Sequence, residues 1–207
     1  MNREGMLHRV RTALGRSVGD PAPPPPALSL PASAADLDQF IRKAKAIGVT
    51  VSVVASPEEA HIKVRSLLAG RSAVAPDDDF LTTCGIGGIA GVQKGITDPA
   101  AWREACARAD VGITSADYAL AATATLVMIA SPENPRLVSL LPPEHIAVVP
   151  VSRLLGSVAE LLAREPAVFE RSSSLVLITG SSATGDIEQL HIKGVHGPRQ
   201  VQVVFVR

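Results

Sequence analysis

The densest chemistry in the chain lies near its C-terminal end: Ile178-Thr179-Gly180-Ser181-Ser182-Ala183-Thr184-Gly185-Asp186-Ile187-Glu188, then Gly194-Val195-His196-Gly197-Pro198. An apolar strand over residues 175–178 runs straight into hydroxyls, glycines, two carboxylates and a histidine. In α/β proteins ligands bind at the carboxyl ends of strands. Glu188, Asp186 and His196 are the candidate acid, base or nucleophile. Gly180, Ser181, Ser182, Thr184 and Gly197 are the candidate ligand contacts. Glycine lets a ligand approach the backbone, and hydroxyls with successive N–H groups suit a small anion. The plainer alternative is a polar loop whose Asp186 caps a turn. No Gly-Lys-Ser/Thr follows and no GxGxxG lies between strand and helix, so neither a Walker loop nor a dinucleotide fingerprint is present. Asp186, Glu188, His191 and His196 have no spacing that demands a metal, and none is assigned.

A second constellation spans residues 113–127. A strand ends at Thr114, a polar turn bears Asp117, and Thr123 and Thr125 precede the next strand. Asp117, Thr123 and Thr125 are candidate pocket residues; for Asp117 the alternative is capping a helical turn over 118–122. His145 follows Pro142-Pro143 and reads either as a pocket contact or as a polar strand cap. The glycine-rich stretch from Gly85 to Gly91 reads as a turn.

The elements that must position these groups alternate. Apolar spacing predicts helices over 3–14, 36–47, 56–68, 98–107 and 151–163. Ser56-Pro57-Glu58-Glu59 is a helix start, with an N-cap hydroxyl, proline in the first turn and acids at the positive end of the dipole. Strands are expected over 49–54, 72–75, 110–114, 126–129, 137–140, 146–149, 175–178 and 201–206. Asp20 to Pro26 contains a proline run, an extended spacer. The expected organisation is a helical arm over 1–16, a Pro-rich linker over 17–32 and an α/β domain over 33–207. Its sheet should be mixed and largely parallel, flanked by helices.

Composition narrows the class. Apolar residues make up 46% of the chain but aromatics only 3%, so the core is built from Val, Ile, Leu and Ala. Such a core suits parallel strands buried on both faces. A formal net charge of +0 argues against a general nucleic-acid binder. Two cysteines, Cys84 and Cys106, are too few for an iron–sulfur cluster held by this chain alone, and both read as core filling. No cofactor is expected on this chain alone. With no apolar signal region and no apolar run long enough to span a bilayer, the chain reads as soluble and cytoplasmic.

Three stretches taken together resemble the LUD domain family: Val111 to Ala121, Ser139 to Ile146, and Gly180 to Glu188 with Gly194 to Pro198. The resemblance runs from Asp110 to the end. It implies a fold related to the CoA-transferase and ribose-5-phosphate isomerase superfamily. It also implies a part in oxidising L-lactate to pyruvate beside two iron–sulfur partner proteins, with a small anionic ligand in a pocket at strand ends. The alternative function is a stand-alone transferase or isomerase handling CoA, acyl or sugar-phosphate groups. This chain departs from the family pattern where Ala122-Thr123-Ala124-Thr125 stands for the usual Glu-Thr-Gly-Thr. It departs again where Gly180-Ser181-Ser182 stands for Gly-Pro-Ser and Gly185-Asp186-Ile187-Glu188 for Ala-Asp-Ile-Glu.

Overall fold

A computed structural model describes residues 3–15, 34–131, 134–172, 174–185 and 191–207. The chain divides into two compact units, Met1–Leu30 and Pro31–Arg207. In the first, helix α1 (Arg3–Ala13) buries none of its residues, and Met6, Val10 and Leu14 lie exposed at i, i+4 and i+8.

The second unit opens with α2 (Leu37–Ala46), β1 (Thr50–Val54), α3 (Pro57–Leu68), β2 (Ala73–Val74) and α4 (Asp79–Thr83). It continues through β3 (Val92–Gln93), α5 (Pro99–Arg108), β4 (Val111–Ser115), β5 (Tyr118–Leu120), β6 (Thr125–Ile129) and α6 (Leu137–Leu140). Then come β7 (Glu144–Pro150), β8 (Leu154–Leu155), α7 (Val158–Arg164), α8 (Val168–Arg171) and β9 (Leu175–Ile178). A small hairpin, β10 (Ala183–Gly185) with β11 (His191–Lys193), precedes β12 (Gln200–Val206). The α/β, largely parallel architecture is the one expected. Six strands form a parallel sheet in the order β1-β12-β7-β4-β2-β3. A second sheet, β8-β5-β6-β9, is mixed.

The parallel sheet is covered on both faces, and strand alternation divides its side chains between them. From β12, Val201, Val203 and Phe205 face one core with Phe40 and Ala44 of α2 and Ala119, Leu126 and Met128 of the second sheet. Val204 and Val206 face the other, with Ala60, Val64 and Leu68 of α3 and Leu81. The aromatic pair Phe40 and Phe205 meets edge to face at 5.0 Å between ring centroids. The expected caps are in place: Ser56 Oγ accepts from Glu59 N at 3.3 Å and Asp98 Oδ2 accepts from Ala101 N at 2.7 Å.

The structure corrects three sequence expectations. Residues 137–140 form helix α6, not a strand. A four-residue apolar run carries no decisive period, and Pro135 sits just ahead of it. Residues 151–163 are not one helix. A 3₁₀ turn (Val151–Arg153) and β8 precede α7, because Leu154 and Leu155 pair with β5 and Gly156 breaks the run. Asp117 caps no helix, since Tyr118 begins strand β5.

Ala124 has φ of +51° and is 3% exposed, in the tight connection between β5 and β6. An L-residue there pays roughly 1 kcal/mol of left-handed strain. Replacing Ala124 by glycine is expected to stabilise the fold by about 0.5 kcal/mol once the extra freedom of the unfolded chain is subtracted. Urea midpoints of the two proteins check it.

Candidate functional site

The carboxyl ends of β2 and β4 lie side by side, because the two strands pair in parallel from Ala73↔Val111. Beyond β2 the chain runs into Asp77-Asp78-Asp79. Asp78 caps α4, accepting from Leu81 N at 2.9 Å through Oδ1. Its Oδ2 accepts from the Ser115 hydroxyl at 2.7 Å, which ties the end of β2 to the end of β4. Asp117 follows β4. Its backbone N–H donates to Val127 O at 3.0 Å, and its Oδ2 accepts from Ile129 N at 2.7 Å. One carboxylate oxygen therefore extends the β5–β6 ladder. Arg153, at the end of β7, donates from Nη1 to Ala116 O at 2.9 Å and stacks over the Phe80 ring at 5.8 Å.

Asp78 and Asp117 border a cavity of about 440 Å³ lined also by Asp77, Asp79, Ser131 and Asn134, among others. A second cavity of about 450 Å³ shares Ala130 and Ser131 with it and is walled by Pro135, Arg136, Leu137 and Leu140. Burial raises the Asp117 carboxyl above its ordinary value, with Asp78 adding to the rise; the Ile129 N–H and the Arg153 charge oppose it. Among the described residues no group of three or more His, Cys, Asp and Glu is placed to hold a metal ion.

The remaining candidates fall elsewhere. Thr123, Thr125 and Thr179 join in a chain of hydroxyls, with 2.7 Å at each step. They sit where β5 turns into β6, at the opposite end of the β6 strand from Ile129, which holds Asp117. The two halves of the C-terminal run also meet. Ser182 N donates to Pro198 O at 2.9 Å, Gly194 N donates to Ser182 O at 2.9 Å, and Ser182 Oγ accepts from His196 N at 3.3 Å. Gly197 lies against the Ser182 side chain, and Gly180 against Ile47. Arg199 N bonds Pro143 O, so this assembly stands at the amino ends of β7 and β12. Ser181 is half-buried, whereas Thr184 and the His196 side chain are exposed. Asp186 and Glu188 lie outside the described residues. The structure thus gathers the threonines at one end, and it separates Asp117 from them and from Ser182 and His196.

His145 does not line a pocket. It is fully buried in β7, its Nε2 lies 2.8 Å from Thr114 Oγ1, and its Nδ1 has no partner among the described residues. Burial pushes its pKa down to about 4. The unfolded chain therefore takes up a proton near pH 6.5 that the folded chain refuses until about pH 4. Stability is full above pH 6.5 and falls as the solution is acidified through that window. The expected loss from this residue is about 2 kcal/mol between pH 7 and pH 5. Denaturant titrations at the two pH values check it, and His145→Leu should flatten the difference.

Neither cysteine is poised as a nucleophile. Cys84 and Cys106 are buried, and burial pushes both thiols up to about 11. Sequence reasoning missed Asp77 to Asp79, Ser115, Asn134 and Arg153. The one local signal was three acids directly after a buried strand.

A parallel sheet flanked by helices, with a polar cavity at its carboxyl edge, defines the chain as an α/β protein. Residues 37–206 match the model of the LUD domain, and the chain belongs to the LUD domain family. It is similar to Lactate utilization protein C of Exiguobacterium sp., with 42% identity over 115 residues, covering 53% of this chain and 50% of that protein. The matched stretch thus spans about half the length of that relative. The uncharacterized protein YkgG of Escherichia coli is 31% identical over 181 residues, 82% of this chain and 78% of that one. The crystal structure of a DUF162 family protein from Deinococcus radiodurans superposes with a TM-score of 0.61. It is 22% identical and covers 83% of this chain and 96% of that chain, a likeness of fold.

Proposed function

We propose that this chain serves in L-lactate utilization, the oxidation of lactate to pyruvate, as the component that carries no iron–sulfur cluster. It binds a small anionic ligand at strand ends, as the resemblance to the family implies. The observation that carries the lactate role is the 42% identity to a Lactate utilization protein C. Two buried cysteines cannot supply the four thiolates that a cluster usually needs, which agrees with what the resemblance to the LUD domain family implies, redox centres carried by two iron–sulfur partner proteins. Helix α1 supports a docking arm on residues 1–16: it exposes Met6, Val10 and Leu14 and carries Arg3, Arg9 and Arg11. The Pro-rich segment 17–32, expected as its linker, lies outside the described residues. The four aspartates of the cavity disfavour a free anion there. A small anionic ligand is better matched to the hydroxyls of Ser182, Thr123, Thr125 and Thr179, which carry no charge of the same sign.

Deleting the gene should abolish growth on L-lactate, and the intact chain should restore it and co-purify with both iron–sulfur proteins. Normal growth of the deletion strain together with no co-purification rejects the role. One observation favours the second reading, a stand-alone transferase or isomerase: a half-buried carboxylate at strand ends in a cavity of about 440 Å³. Thermal shifts against CoA esters, sugar phosphates and 2-hydroxy acids separate the two readings.

A further inference from the structure

We infer that helix α1 seats its apolar stripe in a groove on one of the iron–sulfur partner proteins, a groove with an apolar floor and carboxylates along both rims. The inference rests on the docking arm proposed above and names the chemistry of the surface that receives it. The stripe is the first observation. Helices α2, α3 and α5 turn their apolar stripes inward, with Phe40 and Ala44, Ala60, Val64 and Leu68, and Trp102 and Cys106 buried. Helix α1 buries none of its residues. Met6, Val10 and the following Leu14 stand one turn apart and expose about half of their surface or more. That is the spacing of side chains that anchor a helix in an apolar groove. The charged borders are the second observation. With about 3.6 residues per turn, Arg9 and Arg11 fall about 100° to either side of the stripe, and Arg3, two turns before Val10, closes its N-terminal end. Among the described residues none of these guanidiniums has a carboxylate partner, although Glu4 stands on the same helix. A groove with carboxylates on both rims meets Arg9 and Arg11 at once. Two other occupants match less well. A second α1 would set arginines against arginines, and a helix of 11 residues, about 16 Å long, offers too little area for a stable dimer. A lipid surface would draw Arg3 into the acyl layer along with the stripe, and the stripe holds no aromatic residue. A helix this short is marginal alone in water, so docking also stabilises it.

The test is the affinity of the full chain for each purified iron–sulfur partner protein, measured by biolayer interferometry at low and high salt. Arg9→Glu with Arg11→Glu reverses the borders, Met6→Gln with Val10→Gln removes two anchors, and Arg9→Lys with Arg11→Lys keeps the charge. All the replacements are good helix formers, and an unchanged melting temperature confirms that the α/β unit is intact. One partner should bind the wild-type chain, and the glutamate and glutamine variants should each bind it about tenfold more weakly or worse. The lysine variant should stay close to wild type, and salt should weaken the wild type but not the glutamate variant. If the partner binds all four proteins alike, the arm is overturned as the docking surface while the lactate role stands. If only the glutamine variant is weakened, the carboxylate rims are overturned. If neither partner binds the wild-type chain, the lactate role and the inference fall together. Binding to phosphatidylserine vesicles, lost in the glutamate variant with no effect on either partner, would assign the stripe to a membrane instead.

Discussion

Gly112→Ala should cost about 4 kcal/mol or more and leave little folded protein at ambient temperature. A Cβ built at Gly112 would lie 1.8 Å from Val138 O and 2.9 Å from Val138 C, with Pro142 Cγ at 3.1 Å. The obstacle is the backbone of α6, not the end of a side chain that could swing away. β4 cannot retreat either, because it is hydrogen-bonded to β2 on one side and β7 on the other. The glycine is there for close approach, as its φ is not in the left-handed region. Relief would need α6 to lift by more than an ångström, which opens the cluster of Val74, Trp102, Cys106 and Val138. Trp102 is the single tryptophan of the chain, so its fluorescence reports that opening directly. Gly88→Ala is the control: an added Cβ there meets nothing within 4 Å, and stability should change by less than about 0.5 kcal/mol. A Gly112→Ala protein with the wild-type urea midpoint would show that α6 does not cross β4 in this way.

The same crossing shows where the sequence was readable and where it was not. The strands now labelled β1, β4, β6, β7, β9 and β12 were legible because each is an apolar run of strand length. Helices α3 and α5 were legible because Ser56-Pro57 and Asp98-Pro99 are local signals that need no tertiary partner. Helix α6 was not, since Leu-Val-Ser-Leu is equally apolar as a strand or a turn of helix, and only its fit over Gly112 decides. The site was legible in part. Asp117 was singled out for its place after a strand, but its cavity is built with Asp78, which meets Ser115 across 37 residues of chain. No spacing rule reaches that far. Ser182 and His196 stand 14 residues apart, and their joining required the same kind of fold-back. His145 misled because a histidine beside prolines looks like a surface feature, whereas strand register places it in the interior beside Thr114.

Arg71→Ala should be the most damaging change away from a glycine, at about 3 kcal/mol. Arg71 follows α3 at the amino edge of the parallel sheet, where Glu144 begins β7. Its Nη1 donates to Glu144 Oε2 at 2.5 Å, its Nε to Leu68 O at 3.1 Å and its Nη2 to Leu67 O at 2.9 Å. Gln202 of β12 donates to the other Glu144 oxygen. The guanidinium thus closes the C-terminal end of α3 and pairs a carboxylate only 8% exposed. Glu144 raises the Arg71 pKa above its ordinary value by accepting its hydrogen bond. The two partners are not equivalent. Arg71 is 40% exposed and would find water if Glu144 were lost, but Glu144 without Arg71 is a buried charge with only an amide for company. Removing the arginine should therefore cost more than Glu144→Gln, by about 1 kcal/mol or more. The double variant Arg71→Met with Glu144→Met removes both charges and fills the space with apolar atoms, so it should recover most of the loss. Guanidinium denaturation of the wild type, Arg71→Met, Glu144→Met and the double variant forms a cycle that isolates the pair. Equal losses for the two single variants would contradict the asymmetry, and a double variant no better than Arg71→Ala would show that the carbonyls of α3, not the buried carboxylate, carry the effect.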